Sequence, residues 1–380
     1  MLLVVDALDE LASGVPSYAA PEVQQSFRLS YGGVALLMFV VPAIGGMVLE
    51  PIAFVLADRY PRKWFVCGGL FAMGALGIGC GFAPSAGAFA VMFAAWAVSV
   101  GVGVSLAQAT LMDAYPADRE RMMTRWVFMG NVGDLLAPLV IAGLAVASLG
   151  WRAAFIATGA VVTIYAAVLC RLPFPPAATS PGDDEPAPRL RDVIRGALRN
   201  RRLLLWLTAS WLCSLLDEIL VVFASLHLRD DLGAGTATRS AILACFVAGA
   251  LVGLVITDRI LAVRHPVRVL RDAAVACAIS YTAWVFTPSL WASAALLFAT
   301  GCFCAPMYPI AKAQAYRALP GHSGTVNAVD SLFGPASIAL PFALGLLADH
   351  AGLTPTLLAL AVQPVALAAI ATYICRARDP

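Results

Sequence analysis

Leu8-Asp9-Glu10-Leu11 and Leu216-Asp217-Glu218-Ile219 place the same acidic dipeptide in the same apolar frame, about half a chain apart. Both lie in stretches apolar enough to sit in hydrocarbon. A charged side chain there costs about 2.5 to 3.5 kcal/mol even by insertion measurements, so intramembrane acids face a bundle interior or a water-filled cavity. Two matched pairs predict a duplicated membrane protein with a polar pathway along its middle.

The rest of the chain agrees. Of 380 residues 61% are hydrophobic and 13% charged, with a mean hydropathy of +0.83, where ordinary globular domains carry about a quarter charged residues. Apolar stretches long enough to cross a hydrocarbon core follow one another almost without pause. Their approximate spans are 2–22, 32–57, 64–83, 86–109, 126–148, 152–171, 203–226, 241–262, 270–287, 291–313, 324–349 and 353–374. The alternating polarity of a β-barrel is absent, so the spans are helices. Met1 to Ala20 lacks a basic start and carries Asp6, Asp9 and Glu10, which makes it a first span rather than a signal peptide. The expected fold is an all-α membrane protein of twelve transmembrane helices in two pseudo-symmetric six-helix bundles.

Basic residues orient it. Of 25 Lys and Arg, only Arg28, Arg152, Arg229 and Arg239 fall on one side of the twelve-span plan. By the positive-inside rule the other side, with both termini, is cytoplasmic, in the inner membrane. The net charge of +2 is thus topological and implies no nucleic acid. The one long polar interruption, 173–202, runs from Pro173, Pro175 and Pro176 through Asp183, Asp184 and Glu185 to an arginine-rich stretch. It reads as a flexible linker and then a short amphipathic helix at the anionic cytoplasmic face. It separates an N-terminal six-helix bundle, 1–172, from a C-terminal one, 203–380.

Nine cysteines, nearly all inside predicted helices and without a CxxC, read as small packing residues. The four histidines have no metal spacing, so neither a metal site nor a cofactor is expected. Asn131 stands where the first glycine of an intramembrane aspartyl protease's Gly-x-Gly-Asp would be, and nothing else supports hydrolysis.

Duplication recurs where Ala57-Asp58-Arg59 closes the second span and Thr257-Asp258-Arg259 the eighth. A weaker echo sets Asp134 before Pro138 and Asp330 before Pro335. Parallel halves with substrate between them at the midplane are an architecture of secondary transporters. Leu56-Ala57-Asp58-Arg59-Tyr60-Pro61-Arg62-Lys63 resembles the loop between the second and third helices of the major facilitator superfamily, with Phe54 and Pro61 where that pattern has glycines. Leu149-Gly150-Trp151-Arg152-Ala153-Ala154-Phe155 is similar to its loop between the fifth and sixth. The resemblance implies a cytoplasmic gate of Asp58, Arg59, Arg62 and Lys63, with Asp258 and Arg259 in the other half. In it, Asp58 and Arg62 steady the outward-open state against the start of the eleventh helix. Asp58 and Arg62 are also four apart, so on a continued helix they pair.

The resemblance further implies that the first, fourth, seventh and tenth helices line a central cavity, which gives Asp9, Glu10, Asp217 and Glu218 a place in it. Neighbours on a helix point about 100° apart, so one acid of each pair faces the cavity while the other packs beside it. Asp134, Asp330 and the unduplicated Glu50 are second-rank candidates for binding substrate or protons; Trp96, Gln108, Asn131, Trp211 and Asn327 could line a site too. No Lys or Arg lies deep in any span, Lys312 being near enough to an end to snorkel. Without a buried cationic clamp the interior suits cationic, zwitterionic or amphipathic solutes rather than phosphorylated ones. The expected protein is a monomeric, proton-coupled exporter of a small organic solute, in contact with lipid and not an enzyme. A facilitator or importer of a neutral metabolite and a non-transporting membrane sensor on the same fold remain the alternatives.

Overall fold

The computed structural model describes residues 1–29, 33, 36–146, 149–174 and 190–376; residues 175–189 of the linker expected over 173–202 fall outside the described residues, as do some side chains within helices, including those of Ser17, Pro138 and Glu218. Helices follow one another with no strand among the described residues. They are α1 (Leu2–Phe27), α2 (Val41–Leu56, entered by a π-turn at Leu36–Val40), α3 (Arg62–Phe82), α4 (Ala86–Ala114), α5 (Arg119–Val146), α6 (Trp151–Arg171) and the short α7 (Leu190–Arg199). Then come α8 (Arg201–Leu212), a π-turn at Leu215–Ile219, α9 (Leu220–Asp230), α10 (Thr236–Ile260), α11 (Pro266–Val285), α12 (Leu290–Cys304) and α13 (Met307–Ala318). The chain closes with α14 (Ser323–Asp330), a 3-10 turn at Ser331–Phe333, α15 (Gly334–Ala351), α16 (Leu353–Leu360) and α17 (Val362–Arg376). Nine helical stretches among the described residues are long and apolar enough to cross a membrane.

Several predicted spans are thus broken helices. Span seven is α8 and α9 around a π-turn that contains Asp217 and Glu218, and span ten is α12 and α13 around Pro306, whose missing N–H and ring disfavour an unbroken turn.

The helices gather into two compact units. One comprises Met1–Ala117, Met129–Arg199 and Leu319–Gly334; the other comprises Asp118–Phe128, Asn200–Ala318 and Pro335–Pro380. Each unit therefore takes a short helical start, α14 or the first turns of α5, from the other half of the sequence.

Glycine seams hold each unit, because helices in lipid gain little from hydrophobicity and associate by close backbone approach. In the first, a methyl at Gly74 of α3 would strike the carbonyl of Gly159 in α6, and one at Gly159 the carbonyl of Gly74. In the second, Gly249 and Gly253 of α10 abut the carbonyls of Phe298 and Cys302 in α12. An aromatic cluster closes one end of the first unit, with Phe89 stacked on Phe93 (5.5 Å), Phe93 on Trp96 (5.1 Å), and Trp151 edge-on to Phe89. Arg152 lies over the Trp151 ring at 4.5 Å and donates to the carbonyls of Gly81 (3.0 Å) and Ala83 (2.8 Å), satisfying oxygens that the end of α3 leaves unpaired. Trp96 is therefore a packing residue of this cluster.

Candidate functional site

The first site grows from a seam between α1 and α5. Gly130 and Gly133 let the helices touch: a methyl at Gly133 would meet the Ala7 carbonyl, and one at Gly130 the Asp6 carboxylate. This brings the Asp134 side chain into interaction with that of Glu10. Asp6, Asp9 and Glu10 offer carboxylate oxygens that all lie within 4.8 Å of one another. Asp9 and Glu10 do not diverge as the 100° step suggests, because the reach of flexible side chains overrides the separation of their Cα–Cβ bonds. Ser13 donates to Asp9 at 3.1 Å. Asp6 is buried, Asp9 and Glu10 half-buried, and Asp134 exposed, so the cluster runs from the interior to an open face.

Glu50 stands apart from this cluster. Its carboxyl fills a notch over Gly46 and Gly101, where a methyl on either glycine would overlap it. In the second unit Ala250 has no such group, and Gly301 meets the backbone at Phe246 and Ala250 directly.

At the end of α2, Asp58 accepts from the amides of Gly324 (2.9 Å) and Thr325 (2.7 Å) and from the Thr325 hydroxyl (2.8 Å), capping α14. A carboxylate is favoured there because the first amides of a helix are unpaired and its N-terminus is positive. Arg62 donates to Asp58 at 2.8 Å and also pairs with Asp113, which in turn accepts from the Ser323 hydroxyl. Asp58 and Asp113 are each only 6% exposed. Gly324 is fixed by closeness, since a methyl would strike the Phe54 carbonyl. Lys63 donates to the Leu172 carbonyl (3.1 Å), and Arg59 is exposed.

The second unit holds a counterpart built from other chemistry. Asp258, at the end of α10, receives Arg125 (3.0 Å) and Arg121 (3.4 Å) from the first turns of α5. Glu120, 3% exposed, accepts from Gln314 (2.7 Å) and Arg317 (2.9 Å) of α13. Arg259 is exposed.

Around the π-turn of the second unit, Asp217 is exposed and accepts from the Cys304 thiol at 3.4 Å. Ser214 bonds back to the Trp211 carbonyl (2.9 Å) rather than to these acids. Trp211 donates to Ser337 (2.8 Å) and Asn327 to the Ser105 carbonyl (3.0 Å), while Gln108 is buried. Asp330 sits half-buried at the end of α14. Lys312 does not snorkel: it is 4% exposed, its ammonium 5.8 Å from the Tyr316 ring.

Sequence reasoning missed Asp113, Glu120, Arg121, Arg125, Arg317, Cys304 and Gln363. Arg121, Arg125 and Arg317 counted only toward orientation and Asp113 and Glu120 drew no reading, whereas Gln363 carried a usable signal as a lone amide between Val362 and Pro364 in an apolar run.

The model of the Major Facilitator Superfamily matches residues 2–217. The membrane sensor protein UhpC of Salmonella typhimurium is 32% identical over 154 residues, 40% of this chain and 34% of that protein. The 3-(3-hydroxy-phenyl)propionate transporter of Escherichia coli is 27% identical over 219 residues, 54% of this chain and 50% of that one. The chain thus matches about a third to a half of the length of these relatives. The crystal structure of the E. coli fucose:proton symporter FucP superposes with a TM-score of 0.80 at 15% identity, covering 98% of this chain and 97% of that one, which fixes the fold. With more than half of the sequence matched by the family model and nearly all of it by the fold, the chain belongs to the major facilitator superfamily.

Proposed function

We propose that the protein is a secondary transporter that moves a small cationic, zwitterionic or amphipathic organic solute across the inner membrane by alternating access, exporting it against protons. The observation that carries this reading is the gathering of Asp6, Asp9, Glu10 and Asp134 along one glycine seam. Acids so close repel one another when ionised, so they hold protons in common or share them with a cation; a solute's positive group then competes with protons for the same oxygens. Asp217 and Glu218 serve the same exchange in the other half.

The bundles 1–172 and 203–380, joined by 173–202, are the parts that rock, with both termini cytoplasmic. Asp58 on α14 and Asp258 on Arg125 are then cytoplasmic latches that close in the outward-open state and part in the inward-open one.

Reconstituted vesicles presented with a compound library, with and without an imposed pH gradient, test this. Solute flux that responds to the gradient and is lost in Glu10→Gln and Glu218→Gln is expected; flux unchanged in both would favour a facilitator of a neutral metabolite. The identity with UhpC favours one further reading, a sensor that binds solute without moving it. Binding without flux in the same vesicles would select it.

A further inference from the structure

Span seven breaks between α8 and α9 at the second acidic pair, and the break leaves a backbone amide to satisfy. The Leu220 amide pairs with the Leu215 carbonyl, a π-type step, and the Leu216 amide turns away from its own helix to donate to Oε1 of Gln363 in α17 at 2.7 Å. That bond fixes which way the Gln363 amide faces, because only its oxygen can accept. Its Nε2 therefore points to Cys304, donating to Sγ at 3.5 Å, with Met307 Sδ at 3.7 Å. The Cys304 thiol then donates onward to Oδ1 of Asp217 at 3.4 Å. Asp217 follows Leu216 in sequence, so the four residues close a ring joining α17, the end of α12 and the π-turn. Gln363 is 0% and Cys304 2% exposed, whereas Asp217 is exposed. The ring is buried except where its carboxylate emerges.

We propose that Cys304 and Gln363 are positioning residues for Asp217. Gln363 holds the π-turn open by taking the amide that an unbroken helix would have kept, and Cys304 aims the carboxylate outward by donating to its inner oxygen. The donated S–H bond is stronger toward an ionised oxygen than a neutral one, so the ring favours the carboxylate that a cationic group would meet. The inference rests on the reading of Asp217 as a solute- or proton-binding acid, but the readouts that decide it, infrared bands and amide exchange, do not depend on transport.

The experiment is infrared spectroscopy of the full chain in lipid nanodiscs, joined to amide hydrogen exchange. The S–H stretch of Cys304 is isolated as the band that Cys304→Ser removes. In Asp217→Asn, which keeps the shape but not the charge, that band moves to higher frequency. In Gln363→Met the amide at Leu216 exchanges roughly tenfold faster, the worth of one buried hydrogen bond. In Gln363→Glu that amide stays protected, because a carboxylate oxygen still accepts there. An S–H band indifferent to Asp217→Asn overturns the proposal, as does exchange at Leu216 that Gln363→Met leaves unchanged. Loss of protection in Gln363→Glu equal to that in Gln363→Met overturns it too. Asp217→Asn assayed for flux separates the two ideas: normal flux with a shifted S–H band removes Asp217 from transport and leaves the ring intact.

Discussion

Asp58 accepts from two amides, a hydroxyl and a guanidinium. An asparagine keeps one acceptor and drops the charge, so Asp58→Asn forfeits about 2 kcal/mol of charge-assisted bonding. Amide exchange at Gly324 and Thr325 should quicken roughly 30-fold at 1.4 kcal/mol per decade, read by mass spectrometry of the 319–334 segment. Unchanged protection there would mean the cap stabilises nothing. The acidic pairs drew notice as charges in an apolar frame, and Asp58 through its repeat with Asp258 and the family-like loop that follows it. Cys304 did not, since a thiol in a span is ordinary packing until the fold shows which side chains meet it, and Gln363 showed only as a lone amide, without the partner that explains it.

Among elements, the contact between α2 and α4 makes the sharpest prediction. The carboxyl of Glu50 occupies the space that a methyl at Gly101 needs, so Gly101→Ala overpacks the seam and costs about 1 to 3 kcal/mol. Removing the obstacle restores room: Glu50→Ala/Gly101→Ala should unfold at a higher temperature in detergent than Gly101→Ala alone. Additive losses would contradict the notch, since contacting residues couple and distant ones do not. Helix order and the acidic positions could be read from hydropathy, and Pro306 marks the break in span ten, but the break in span seven could not be read. Hydropathy averages over a window, whereas a π-turn depends on one amide finding a partner in a distant helix.

For the whole molecule, duplication in sequence does not carry duplication in chemistry. Asp58 meets backbone amides and is 6% exposed; Asp258 meets arginines, with Arg125 43% and Asp258 24% exposed. Exposed ion pairs are worth about 0 to 1 kcal/mol and weaken as the Debye length falls to about 3 Å in 1 M salt. High salt should therefore speed exchange in the first turns of α5 but leave α14 unchanged; equal effects on both would contradict this asymmetry. The repeat of Ala-Asp-Arg and Thr-Asp-Arg announced two equivalent positions, but their partners lie far along the chain, where no local spacing reveals them.

The proposed transport requires that the acids of α1 and α5 trade protons for solute. The direct measurement is proton release on adding a transported solute to the purified protein in weakly buffered solution. Wild type should acidify the medium, and Glu10→Gln/Asp134→Asn should release few or no protons at the same occupancy. Equal release from that variant and wild type would contradict the account.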